Sequence, residues 1–89
     1  MATTRTFTVN NKLGIHARPA AQFVKIASKF QSEITVEKDD EKIDGKSIMG
    51  LMMLAAGHGS QLDVTADGPD EGEALDALQG LVDRNFEEE

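Results

Sequence analysis

Four short stretches of this chain alternate apolar and polar residues with a period of two, and stretches of helical character separate and follow them. A strand that alternates in this way buries one face and leaves the other in water. The pattern predicts strands at Thr4–Val9, Ser32–Glu37, Lys42–Asp44 and Gln61–Ala66. Phe7 and Val9 share one face with Arg5, opposite Thr4, Thr6 and Thr8. Ile34 and Val36 point inward in the second strand, and Leu62, Val64 and Ala66 in the fourth. Lys38 to Glu41 make a charged hairpin turn, and Gly45 ends the returning strand. In the first helix Ala20, Phe23, Val24, Ala27 and Phe30 form one apolar stripe. Pro19 fits a first helical turn but not deeper, so this helix must begin near His16 or Ala17. A second helix is expected over Ser47–Ala56, capped by Ser47 and stopped by Gly57-His58-Gly59. Pro69 opens a third, with Asp70, Glu71 and Glu73 in its first turn. Its stripe is Leu75, Leu78, Val82 and Phe86, with Leu81 beside it, and Glu87 to Glu89 read as a frayed, solvated tail. The order is βαββαβα. One-sided strands favour an α+β fold, an antiparallel sheet with all helices on one face, over a doubly wound parallel sheet.

The 89 residues are enough for one domain, taken as 1–89. Apolar residues at 39% and charged residues at 28% suit a globular chain. A net charge of −7 disfavours nucleic acid and anionic membrane as partners. Cysteine is absent, which excludes disulfides, thiolate catalysis and thiolate metal sites. Two histidines cannot build a three-His metal site, and the acids at 39–41 and 87–89 lack calcium-loop spacing, so no metal is expected. The longest apolar run, Leu51–Ala56, is far short of a membrane helix. Met1–Asn10 lacks the apolar segment of a signal peptide, so a cytoplasmic location is expected.

Two segments could carry chemistry. In Gly14-Ile15-His16-Ala17-Arg18-Pro19-Ala20 the histidine falls at a helix N-terminus, where amides lack intrahelical acceptors and the dipole is positive. An anion is stabilised there, and Arg18 adds a permanent charge. A neutral imidazole is a nucleophile that can form a covalent intermediate. Reversible phosphoryl transfer needs that combination; the plain alternative is a polar helix cap beside a solvated arginine. The second segment is Lys46-Ser47-Ile48-Met49-Gly50-Leu51-Met52-Met53-Leu54. Leu51, Leu54 and Ala55 lie on one side of this helix and Met49 on the other, with Ile48 and Met52 between. Either Met49 and Met52 fill core gaps, or they stay exposed as an adaptable partner surface. Ser47 is a helix cap or, if phosphorylated, a charge beside that patch. His58, between two glycines, reads as a surface loop residue.

These residues resemble a known family. Gly14 to Ala20 is similar to the active-site motif of HPr, the phosphocarrier of the bacterial phosphoenolpyruvate:sugar phosphotransferase system. Lys46 to Met52 resembles that family's regulatory-serine helix, and Asp67-Gly68-Pro69-Asp70-Glu71, with Ala74 and Leu75, its final turn and helix start. The resemblance runs from about Phe7 to Phe86. It implies an open-faced β-sandwich with strand order 1-4-2-3 under three helices. It implies that enzyme I passes a phosphoryl group to Nδ1 of His16, that His16, Ala17 and Arg18 bind the phosphate, and that enzyme II components of sugar permeases receive it. Ser47 matches a serine that a dedicated kinase modifies in some lineages. Ala20, Ile48, Met49 and Met52 match the partner-docking surface. The chain would then be a monomeric, cofactor-free, stoichiometric carrier more than a turnover enzyme. Met53, Gly57-His58-Gly59 and the terminal glutamates depart from the pattern. The competing class is a regulatory binding module, a nitrogen-type paralogue or a Ser47-gated adaptor, acting through Ile48, Met49 and Met52; it has no need of the His16–Arg18 pair.

Overall fold

The computed structural model describes residues 2–87. The elements are β1 (Ala2–Thr8), α1 (Ala17–Ala27), β2 (Glu33–Lys38), β3 (Glu41–Asp44), α2 (Ile48–Met53), β4 (Gln61–Asp67) and α3 (Glu71–Asp83). A single left-handed turn at Asn85–Glu87 follows. All strand pairs are antiparallel, in the order β1-β4-β2-β3. β4 is central to the packing: Val64 stands opposite Arg5 on one side and Val36 on the other.

The alternation works as the sequence indicates. Phe7, Val9, Ile34, Val36, Leu62, Val64 and Ala66 are buried together with Phe23 of α1, Leu51 of α2 and Leu75 and Leu78 of α3. Thr4, Thr6 and Thr8 of β1 face away from that core; Thr4 meets Thr65 at 2.7 Å and Thr6 donates to Asp63 at 2.8 Å. Three helices therefore cover one face of the sheet, and the other is open. No helix of the described residues is long and apolar enough to cross a membrane.

Several ends differ from the sequence expectation. β1 begins at Ala2 and β4 runs on to Asp67, where the two pair with each other. The hairpin turn is tighter: Asp39 and Asp40 alone form it, with φ of 52° and 70°, the left-handed pair a two-residue hairpin requires. α1 stops at Ala27, and Phe30 packs against the core from the loop beyond it. α2 ends at Met53, before the glycines: Ala55 takes the left-handed conformation, φ 53°, and is exposed rather than on the buried side. α3 starts at Glu71 with Asp70 as its cap residue, so Pro69 lies before the helix. Phe86 is buried but reaches the core from the left-handed turn, not from the helical stripe. Of the acidic tail, Glu87 ends that turn and is exposed, and residues 88 and 89 lie outside the described residues.

Asp70 does not cap its own helix with its side chain. Its carboxylate instead accepts from the Gln31 amide at 2.9 Å, the Ser32 amide at 3.0 Å and the Ser32 hydroxyl at 2.5 Å. This ties the start of α3 to the loop between α1 and β2. Gly68 permits it, since a Cβ there would lie 2.6 Å from Ser32 Cα. The Ser32 hydroxyl, and then the Gln31 amide, hold Asp70 below the ordinary aspartate value of 3.8. Glu71 is likewise lowered, by the Thr3 hydroxyl and then the Gly68 amide.

A carboxyl whose folded pKa is depressed contributes stability above its unfolded pKa and loses it as pH falls through the folded value. Wild type should therefore lose stability as pH drops from about 4. Asp70→Asn should be less stable at neutral pH and flatter across the acid range. Urea midpoints at neutral and acid pH check this; an equally steep acid loss in both proteins would contradict it.

Candidate functional site

The site is built where the β1–α1 loop meets the chain after α2. Asn11 is buried, and its Nδ2 donates to the Gly14 carbonyl at 2.7 Å while the Gly14 amide donates to the Asn11 carbonyl at 3.2 Å. The Ile15 amide donates to the Ala56 carbonyl at 2.8 Å. Gly14 has φ +71°, and a Cβ on it would overlap the Ala56 carbonyl oxygen and lie 2.7 Å from Gly57 Cα. A side chain at position 14 is thus excluded twice, by dihedral angle and by contact.

That anchored loop delivers His16 as the N-cap of α1, extended at φ −98° and ψ −164°, with no side-chain capping hydrogen bond. Its carbonyl accepts from the Ala20 amide at 3.0 Å. Pro19 has no N–H, so Ala17 and Arg18 supply the helix-end amides that lack an intrahelical acceptor. The positive end of the macrodipole, with the Ala17 and Arg18 amides, therefore lies next to a half-exposed imidazole, and Arg18 is exposed two residues further on. Pro19 is itself buried, which locks the first turn onto the core.

Ser47 caps α2. Its Oγ accepts from the Gly50 amide at 3.0 Å, and its side chain is half-buried. Leu51 and Leu54 face the core, while Ile48, Met49 and Met52 are exposed. The methionines are therefore surface residues and not gap fillers. Ala20 is different. It is 0% exposed, because it lies on the α1 stripe that packs on the sheet, and so offers no surface to a partner. Two exposed apolar residues were missed: Met53, 73% exposed, and Leu13, 75% exposed. Met53 stands four residues from Met49, a spacing that could have flagged it. Leu13 lies in a loop, where periodicity is silent. His58 lies exposed in its loop. No group of three or more metal-ligating side chains among the described residues is placed to hold a metal ion.

A four-stranded open-faced sandwich whose first helix carries a half-exposed histidine at its N-cap defines a class of small α+β domain. The family model for the PTS HPr component phosphorylation site matches residues 3–84. The chain belongs to the HPr family. It is 48% identical over 85 residues to the phosphocarrier protein HPr of Treponema pallidum, covering 96% of this chain and 97% of that one. The crystal structure of an HPr from Thermoanaerobacter tengcongensis superposes with a TM-score of 0.94, at 49% identity and 98% of each chain. Crh, the Bacillus subtilis catabolite-repression relative whose structure shows a swapped dimer, gives 0.75 at 47% identity, covering 83% of this chain and 85% of that one.

Gly14→Ala should cost at least the roughly 1–2 kcal/mol of forcing an L-residue into the left-handed region, because the overlap with Ala56 adds to it. Chemical denaturation checks this. An unchanged midpoint would show that the loop is not pinned there.

Proposed function

We propose that this phosphocarrier accepts its phosphoryl group on Nδ1 of His16. HPr proteins act in the phosphotransferase system with enzyme I and enzyme II components. Here enzyme I, charged from phosphoenolpyruvate, is the donor, and an enzyme II component of a sugar permease is the acceptor. The Nδ1 lone pair of neutral His16 attacks phosphorus; the N–P bond forms as the bond from phosphorus to the donor breaks. The dianionic phosphoryl group then lies against the Ala17 and Arg18 amides, with Arg18 adding charge. Helix-end stabilisation of an anion is worth about 0.3–1 kcal/mol, up to ~2 in partly buried geometry. A charge-assisted hydrogen bond adds about 1.5–3 kcal/mol. These magnitudes hold the group without trapping it, which suits onward transfer. The observation that carries this reading is the N-cap position of His16 on an anchored loop, at a helix end where the Ala17 and Arg18 amides lack intrahelical acceptors. The chain needs no cofactor and acts as a stoichiometric carrier in the cytoplasm. It works as one domain and as a monomer, which a net charge of −7 supports by repulsion between copies.

Ile48, Met49 and Met52 form the docking surface in this reading, and Ser47 at its edge is the regulatory phosphorylation site for a serine kinase and phosphorylase. The cap geometry favours that role: phosphate on Oγ would lie at the N-terminus of α2 and leave the fold intact. A docking partner would have to desolvate the dianion, which costs affinity unless a cation meets it.

His16→Ala should fold normally and take no acid-labile label from enzyme I and labelled phosphoenolpyruvate; label retained in the folded variant would refute the assignment. Arg18→Glu should slow transfer with little loss of stability, and an unchanged rate would assign the whole effect to the helix terminus.

Ser47→Asp should slow transfer from enzyme I at low ionic strength, and added salt should shrink the difference. Ser47→Ala should transfer normally while losing about 1 kcal/mol of stability with the cap. Equal low-salt rates for Ser47→Asp and wild type would leave Ser47 as a cap alone.

A further inference from the structure

A cleft of about 230 Å³ lies between α1 and the end of α3, lined by Gln22, Lys25, Ile26, Lys29, Leu81 and Arg84. Three cations gather there in a chain of net charge −7. Glu87 also lines the cleft, with its Oε2 3.6 Å from Arg84 Nε, so an excess of positive charge remains. Ile26 and Leu81 supply an apolar floor, and Leu81 is fully packed into the core.

Two further features set this cleft apart from a chance meeting of surface lysines. The first is Gln22. Its Oε1 is buried, and among the described residues it has no hydrogen-bond partner. A buried acceptor left unpaired is costly, so the amide gains by turning to a donor offered from the cleft. The second is Gly80, in the body of α3, where glycine weakens a helix. A Cβ at Gly80 would lie 3.2 Å from Arg84 Nη1, so the guanidinium lies folded back over the bare backbone of the last turn.

We propose that this cleft binds a small polyhydroxylated phosphate ester. The phosphate would sit among Lys25, Lys29 and Arg84, displacing Glu87 from Arg84. A hydroxyl would donate to Gln22 Oε1, and the carbon skeleton would lie over Ile26 and Leu81. Arg suits this task because its fork meets phosphate oxygens in pairs. The size of the cleft favours a metabolite over a nucleotide cofactor or a peptide. The site draws on no residue of the phosphoryl-acceptor loop, so it stands whether or not His16 is the acceptor.

The test is a ¹H–¹⁵N NMR titration of the full chain with glucose 6-phosphate, with glucose and inorganic phosphate as separate arms. Saturable shifts are expected at the Gln22 side-chain amide and at the backbone amides of Lys25, Lys29 and Arg84. Glucose 6-phosphate should bind at least tenfold more tightly than either control. Arg84→Glu should weaken it at least tenfold. Gln22→Leu should remove the preference over inorganic phosphate. His16→Ala should bind as wild type does. Equal binding of inorganic phosphate and glucose 6-phosphate, shifts confined to Ala17 and Arg18, or an unaltered affinity in Arg84→Glu would each overturn the proposal.

Discussion

One backbone contact organises the molecule's functional end: the Ile15 amide on the Ala56 carbonyl, made possible because Gly14 has no side chain. It fastens the loop before α1 to the chain after α2. Together with the packing of α1 on α2, it holds the cap of α1 at a set distance from the exposed apolar residues of α2. Asn11 supports the same joint from inside the loop, through its hydrogen bond to the Gly14 carbonyl.

Rigidity is concentrated where the phosphoryl group would be held. Pro19 is buried, Ala20 is buried, and the open sheet face is far simpler chemistry: threonines and acids in water. In the proposed reading the group would be held by modest terms, a helix end and an arginine, rather than by a deep pocket. That is what a relay needs. A carrier that bound its cargo strongly would stall, and one that left it in bulk water would lose it to hydrolysis. The lock at the opposite end, Asp70 on Gln31 and Ser32, keeps α3 against the sheet without touching the site.

The strands were legible chiefly because the inward residues of β2 and β4 alternate cleanly: Ile34 and Val36, then Leu62, Val64 and Ala66. His16 was legible because Pro19 sets where a helix can start. The glycines at 57 and 59 suggest the end of α2, and the apolar stripe carries α3 through Phe86, but Ala55 and Phe86 adopt left-handed conformations without being glycine, and tertiary packing sets those ends. Ala20 was placed at the docking surface by resemblance, although its own position on the α1 stripe already puts it in the core. Leu13 and Met53 extend the exposed apolar surface; one lies in a loop and the other was set aside as a departure from the family pattern. The joint between Gly14 and Ala56 could not be read from the sequence, because it is a contact between two loops distant in the chain.

The central claim is that the phosphoryl group on His16 is held by the amides at the end of α1. The direct measurement is a ¹H–¹⁵N correlation spectrum of the protein before and after phosphorylation by enzyme I and phosphoenolpyruvate. The account predicts downfield shifts of the Ala17 and Arg18 amide protons as they become donors to the phosphoryl oxygens, with the amides of β2 and β3 unmoved. Phosphorylated protein whose Ala17 and Arg18 amides keep their positions would contradict it.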